Sequence, residues 1–395
     1  MRPLRGVKVL DFSRVLAGPM ASQILAELGA DVIKVERPGE GDESRSYPPR
    51  LQHGTSAYFV AFNRTKRSVT INLKSPQGCE IARDLAARTD VLIENFLPET
   101  MDRFGLGYEP LRALNPGLVY VSLTGFGQTG PDRDQRGYDT VFQALSGMMS
   151  LTGHPDGPPA KAGVPVADLT SGLWATISAL AGLLGRISSG AGCRVDLSMM
   201  DVQLSLLAVA ALPLFARGEE PVRSGTEHPG RVPSAAFQCQ DGRWVHITAG
   251  DRHWMGLCRV LGLDDLESDA HLATNKGRLE RRKEVTDALG GAIANWKSAE
   301  LVVALRHEGV PVGPVRTVSE ALGDAQAVSR RAVVSIQVPT EGAFPALRTP
   351  LHLEGFDDPE PGSPPELGGD TEEVLESERG LDDGAIAALR RAEAI

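Results

Sequence analysis

Two short runs rich in Val, Ile and Leu, VKVLDF (7–12) and ADVIKVE (30–36), flank an amphipathic stretch, AGPMASQILAELG (17–29), that ends on glycine. Runs that are apolar on successive residues suit strands covered on both faces, and a helix of this length between them returns the chain for parallel pairing. A βαβ unit at the start of a chain leaves few folds open. The alternation continues with a strand at SVTINL (68–73), a helix at PQGCEIARDLAART (76–89) and a strand at DVLIENF (90–96). Helical segments follow at PETMDRFG and GYEPLRALNP, then a strand at GLVYVSL (117–123). The expectation is an α/β fold: a Rossmann-like, doubly wound parallel sheet.

The pattern then changes. Residues 139–153, 169–188 and 198–218 read as helices, and GEEPVRSGTEHPGRVP (218–233) as a Gly/Pro-rich linker. SAAFQCQDGRWVHITAG reads as a hairpin turning at Asp-Gly, with helices at 252–261, 278–294 and 298–308 behind it. The predicted layout is a large domain over 1–217, a linker, a smaller α+β domain over 234–330, and a return segment over 331–395 that completes the large domain, helical at 383–393. A chain of 395 residues with 42% hydrophobic and 23% charged residues fits such a soluble protein. The N-terminus lacks a signal-peptide pattern, and the apolar stretches near 173–187 and 202–216 are interrupted or too short for a membrane span. The expected location is cytoplasmic. Cys79, Cys193, Cys239 and Cys258 are scattered, without C-x-x-C or histidines at metal spacing, so reduced thiols and no metal site are expected.

Net charge is −10, and residues 354–395 carry all of it, with 13 acidic against 3 basic residues. Residues 1–74 hold 12 basic against 7 acidic residues. This balance argues against general nucleic-acid binding and allows a small polyanionic ligand held by a few placed cations. Glu36, at the end of the second strand, invites a nicotinamide reading, but the first turn, FSRVLAGPMA, lacks G-x-G-x-x-G. GFGQTG (125–130) matches that pattern literally, yet a proline and a charged loop follow it, so it reads as a flexible glycine loop. In GVPVADLTSGLWATISALAGLLGR (163–186), Asp168 stands at the mouth of a long apolar helix. It is either a plain N-cap or a carboxylate aimed at a substrate, and the local pattern leaves both open.

The stretches LDFSRVLAGPMASQILAELGADVIKVERPGEGD, NRTKRSVTINLKSPQG, DVLIENFLPETMDRFGLGYEPLRALNPGLVYVSLTGFGQTGP and GYDTVFQALSGMMSLTG resemble the class III CoA-transferases, the CaiB–BaiF family. The likeness runs from near residue 4 to about 205 and resumes through the small domain and tail. It implies a homodimer of interlocked chains and an acyl-CoA and a carboxylic acid as substrates. It implies no tightly bound cofactor and no membrane or nucleic-acid partner. It also makes Asp168, in ADLTSG, the covalent nucleophile, a role compatible with capping. The resemblance places CoA contacts at Arg37, Lys74, Arg103 and Arg136, with Ile71, Asn95, Phe96 and Tyr138 at pocket positions.

Departures from the family's branches narrow the reading. The racemase branch carries histidine where this chain has Tyr138, and the formyl-transferring branch has a polar amide near Leu16 and a glycine-run loop in place of SGTEHPGRVP. The chain therefore reads as a CoA-transferase acting on short dicarboxylates, with succinyl-CoA as donor, because GYDTVFQALSGMMSLTG resembles that branch. The alternatives are a 2-methylacyl-CoA racemase of the same fold and a non-catalytic CoA-binding protein.

Overall fold

The computed structural model describes residues 1–395 in two compact units. The first comprises residues 1–148, 162–212 and 325–395, and the second residues 149–161 and 213–324. In the first, six parallel strands run β1 (Lys8–Asp11), β2 (Asp31–Glu36), β3 (Arg67–Thr70), β4 (Val91–Glu94), β5 (Val119–Thr124) and β6 (Cys193–Ser198). Their order across the sheet is β3-β2-β1-β4-β5-β6. The order reverses between β1 and β4, so the loops leaving those strands diverge and open a crevice at their C-terminal ends. Strands β1 to β5 lie where the alternation predicts them. The sequence reading passed over β6 because CRVDLS alternates between exposed and half-covered residues, as an edge strand does.

The long helix is Val166–Ser189. Its buried stripe consists of small residues (Ala167, Ser171, Gly172, Ala175, Thr176, Ala179 and Gly182), which let it lie close against the helix Ala17–Glu27 and strand β5. At Gly172 a Cβ would sit 2.7 Å from the Ala17 carbonyl oxygen and 3.1 Å from the Met20 Cβ. With 24 residues, the helix is long and apolar enough to cross a membrane by length and composition, which corrects the shorter run read from sequence. Its packed stripe gives it the role of a core helix in this unit. The opposite face leaves Leu173, Trp174, Ile177, Leu184 and Ile187 exposed. The single helix expected at 198–218 is two, Met199–Ser205 and Leu212–Arg217. Residues 206–211 between them form successive turns, and Pro213, which has no N–H to donate, sits in the opening turn of the second helix.

The tail holds a further correction. The return segment 331–395, expected to be helical only at 383–393, opens with an antiparallel hairpin, β10 (Val333–Val338) and β11 (Gly342–Leu347), and carries a further helix at Thr371–Arg379. The Pro-rich stretch after the hairpin lies along the outer edge of its own β3. Thr65 N–H donates to the Ser363 carbonyl at 2.9 Å, and Ser68 and Thr70 N–H donate to the side chains of Asp370 and Thr371 at 2.7 and 3.0 Å.

In the second unit, β7 (Ser234–Gln238), β8 (Trp244–Thr248) and β9 (Val312–Pro314) form an antiparallel sheet. It packs with the helices Asp251–Leu261, Arg282–Ile293 and Ser298–His307 around the fully buried Trp254. The stretch 218–233 belongs to this unit. Gly225 N–H donates to the Gly153 carbonyl at 2.9 Å, and the Arg223 guanidinium donates to the Gly157 carbonyl at 2.9 Å.

Two glycine substitutions test the close packing. Gly291, exposed in the helix Arg282–Ile293, has nothing within 4 Å of a built Cβ. Gly291→Ala should therefore stabilise the protein by about 0.5–1 kcal/mol. Gly172→Ala gains the same propensity but overpacks the helix pair at a cost of about 1–3 kcal/mol. Urea denaturation should give the two variants opposite signs.

Candidate active site

Four charged side chains closed off from solvent lie under the crevice. Lys34, from β2, donates to the Ser13 carbonyl at 2.8 Å and pairs with Asp42 at 2.8 Å; Lys66 pairs with Asp11 at 3.1 Å. Burial pushes the Asp11 carboxyl up, but Lys66, Lys34 and the hydroxyls of Ser13 and Ser22 outweigh it and hold it below the ordinary carboxylate range. Burial also dominates at Lys66, whose ammonium falls to about 8 because Asp11 only partly compensates. The Asp42 carboxylate accepts from Val15 N–H at 3.1 Å, holding Val15 at a φ of 70°, left-handed backbone that a β-branched residue rarely adopts. Asn95, just beyond β4, clips the same loop from the other side. It accepts from Arg14 N–H and donates to the Arg14 carbonyl, both at 2.9 Å.

Above this base is a cavity of about 640 Å³ at the C-terminal ends of β1 to β4. Of the residues singled out from sequence, Arg37, Ile71, Lys74 and Phe96 line it. Asn95 lies beside it with its amide committed to Arg14. Arg103 is exposed nearby, donating to Thr100 Oγ1 at 3.1 Å, while the next residue, Phe104, reaches the wall. Arg136 is exposed on the 131–138 loop and Tyr138 is 72% exposed; neither lines the cavity. Glu36 has no room for a ribose. Its carboxylate accepts two bonds from Arg45, at 2.6 and 2.8 Å, one from Ser68 at 2.6 Å and one from Asp42 N–H at 2.8 Å.

Asp168 lies in the first turn of Val166–Ser189, two residues past the start, so it is not the N-cap. The capping bonds come from Asp139, whose Oδ1 accepts from Ala167 N–H at 2.8 Å and Asp168 N–H at 3.3 Å. Asp139 Oδ2 is held by the Gln143 amide at 2.6 Å, and Gln143 in turn accepts from Ala162 N–H at 2.8 Å. The Asp168 carboxylate is half-buried and accepts no hydrogen bond from the chain. Burial first, and the Asp139 charge second, push its pKa up to about 7. The positive end of the helix does not offset this, because Asp139, an acid from outside the helix, already holds those amide dipoles. Tyr58 faces this corner. Burial and the nearby Asp168 carboxylate raise its hydroxyl pKa, and its ring meets Tyr47 edge-on at 5.5 Å.

Several side chains here were not marked by the sequence. Arg14 lines the cavity with its guanidinium 5.0 Å from the centre of the Phe96 ring, and Arg390 reaches the same wall from near the end of the chain. Only the position of Arg14, directly after β1 at the switch point, could have drawn attention to it. Nothing local marks Asp139 or Arg390.

Comparison with known proteins agrees with this fold and site. The sequence model of CoA-transferase family III matches residues 4–371. A succinate–glutarate CoA-transferase of Agrobacterium fabrum is 40% identical over 355 residues, 88% of this chain and 89% of that protein. A succinyl-CoA:glutarate CoA-transferase of Mus musculus is 37% identical over 98% of this chain and 89% of its own length. The crystal structure of a CaiB/BaiF family protein from Brucella suis superposes with a TM-score of 0.84 at 37% identity, covering 95% of this chain and 99% of that one. With a family match over almost its whole length and a βαβ crevice of the expected topology, the chain belongs to CoA-transferase family III and is a CoA-transferase.

Proposed function

We propose that this enzyme moves CoA from succinyl-CoA to another short dicarboxylic acid through a covalent thioester on Asp168. The observation that carries the reading is the Asp168 carboxylate itself: half-buried, unbonded and raised in proton affinity at the end of a packed helix. A carboxylate relieved of hydrogen bonds is a better nucleophile than a capped one. Asp168 attacks the thioester carbonyl, forming a mixed anhydride and expelling CoA thiolate. The thiolate then attacks the aspartyl carbonyl, releasing the free acid and leaving the Asp168–CoA thioester. An acceptor carboxylate reverses the two steps. One thioester replaces another, so the exchange needs no external energy source.

The Ala167 and Asp168 N–H groups face Asp139 and are not free for an oxyanion. The open first turn of Ala17–Glu27 has no side-chain cap, and Gly172, one turn beyond Asp168, packs on the Ala17 carbonyl. Its Ala17 and Gly18 amides are the donors we assign to the tetrahedral adduct. The choice of dicarboxylates rests on the relatives from Agrobacterium fabrum and Mus musculus, which are named for succinate or succinyl-CoA and glutarate.

The exposed stripe on Val166–Ser189, where Leu184 is 70% and Ile187 83% exposed, supports a second inference, that two copies associate and interlock. The contact should far exceed the roughly 1,600 Å² of a standard interface. Sedimentation should show a dimer at nanomolar concentration, and a folded, active monomer there would refute the arrangement. Leu184→Glu with Ile187→Glu should weaken the fold and the dimer together, since interlocked chains separate only as they unfold.

Asp168→Asn keeps the side chain's size and should lower turnover by more than about a thousand-fold, with no CoA adduct by mass spectrometry after incubation with acyl-CoA. Turnover close to wild type would refute the covalent route. Because attack needs the ionised carboxylate, wild-type kcat/KM should rise with pH through about 7. Stability should run the other way. The folded carboxyl holds its proton more tightly than the unfolded one, so folding is favoured while it is protonated and loses that support as pH climbs from about 4 to about 7. Asp168→Asn should thus exceed wild type by about 2 kcal/mol at pH 8, a figure discounted for solvent access, with the gap closing toward pH 4.

A further inference from the structure

The C-terminal helix Asp383–Arg391 and the residues after it are fastened to the loop that leaves β3. Asn72 N–H donates to the Ala394 carbonyl, and the Asn72 side-chain amide donates to the Glu393 carbonyl, both at 2.9 Å. The remaining atom of that amide, Asn72 Oδ1, accepts from Lys74 N–H at 3.1 Å. Ile386 and Ala394 are buried under the clip. One asparagine therefore fixes both Lys74 and the tail, and as a result Lys74 and Arg390 line the same end of the 640 Å³ cavity.

The two ends of that cavity differ. Arg14 and Asp42 form the end whose charges act on Tyr47, the ring packed on Tyr58 beside Asp168. A thioester presented to Asp168 must leave the cavity there, so the nucleotide of the same molecule occupies the Lys74 and Arg390 end. Lys74 has no carboxylate within ion-pair reach. Arg390 pairs with Glu372 at 2.6 Å, but both side chains are more than half exposed, and such a pair is a weak tie that an incoming anion can share. Glu393 and the terminal residue Ile395 line this end too, so Lys74 alone cannot make it attractive to an anion; Arg390 supplies the second cation.

We propose that the C-terminal helix completes the nucleotide end of the CoA site, with Arg390 and Lys74 together seating the 3′-phosphate of CoA. The proposal rests on the cavity being the CoA site. A phosphomonoester dianion with three acceptor oxygens can take a two-donor guanidinium and an ammonium at once. The apolar walls at Ile71 and Phe96 are left for the adenine and the pantetheine arm.

Calorimetric titration of the full chain with CoA and with 3′-dephospho-CoA tests this. Wild type should bind CoA about ten-fold more tightly than the dephospho form. Arg390→Gln should cut that ratio to about three-fold or less while leaving the affinity for dephospho-CoA unchanged, and Arg390→Lys should restore part of it. An undiminished ratio in Arg390→Gln would overturn the seat. Glu372→Gln, which frees Arg390 from its partner, should keep the ratio or raise it. A fall equal to that of Arg390→Gln would mark the pair as a docking contact of the helix and overturn the proposal equally. The cavity assignment is read separately from Arg37→Gln combined with Phe96→Ala. If that variant keeps full CoA affinity, the cavity is not the CoA site, whatever Arg390 does.

Discussion

Lys34, Asp42, Asp11 and Lys66 form two ion pairs closed off from solvent, and much of the active-site half of the molecule is fixed by them. Ions of this kind are costly to desolvate, and a pair survives only when its remaining hydrogen-bonding positions are filled. Here they are filled by the parts that the site depends on. Lys66 reaches the Pro19 carbonyl at 3.0 Å, Ser22 donates to Asp11 at 2.5 Å, and Lys34 holds the Ser13 carbonyl. The pairs thus bolt the helix Ala17–Glu27 and the loop before it to the sheet, and Val166–Ser189 is then stacked on that helix through its glycine face. Removing one partner would leave a naked charge in the core, a loss on the order of 3–5 kcal/mol.

The placement of Asp168 follows from that stack. A helix terminus offers unpaired N–H groups to whichever acceptor reaches them first. Asp139, held by Gln143, takes them from a neighbouring helix and frees the carboxylate in the first turn from that task. The same Asp139 charge raises the proton affinity of Asp168. One acid therefore both frees the nucleophile and strengthens it.

The parallel sheet was legible because VKVLDF, ADVIKVE and GLVYVSL are continuous apolar runs, a signal that needs no tertiary information. β6 and the β10–β11 hairpin were not, since half-exposed edge strands carry a weaker pattern. At the site, Arg37, Ile71, Lys74 and Phe96 were legible through the family resemblance alone; the fold gathers them in one cavity because each lies within four residues of a strand end. Asp168 was legible by resemblance but misread in its local role: ADLTSG has the letters of a cap, and only the approach of Asp139, 29 residues earlier, decides otherwise. Arg390 lies more than 300 residues from the strand ends it faces, and no local pattern reports that.

The strap on β3 has a consequence for how the protein is made. Strand β3 is an edge, and its outward N–H groups at Ser68 and Thr70 find acceptors only in Asp370 and Thr371, about 300 residues downstream. At roughly 5–20 residues per second, a ribosome needs on the order of 15–60 s to supply them after β3 itself has emerged. For that time the nascent sheet presents an open strand edge, the kind of template on which chains pair wrongly. The acidic segment is thus the piece that closes the sheet begun about 300 residues earlier, and its delay sets the time for which that strand edge stays open.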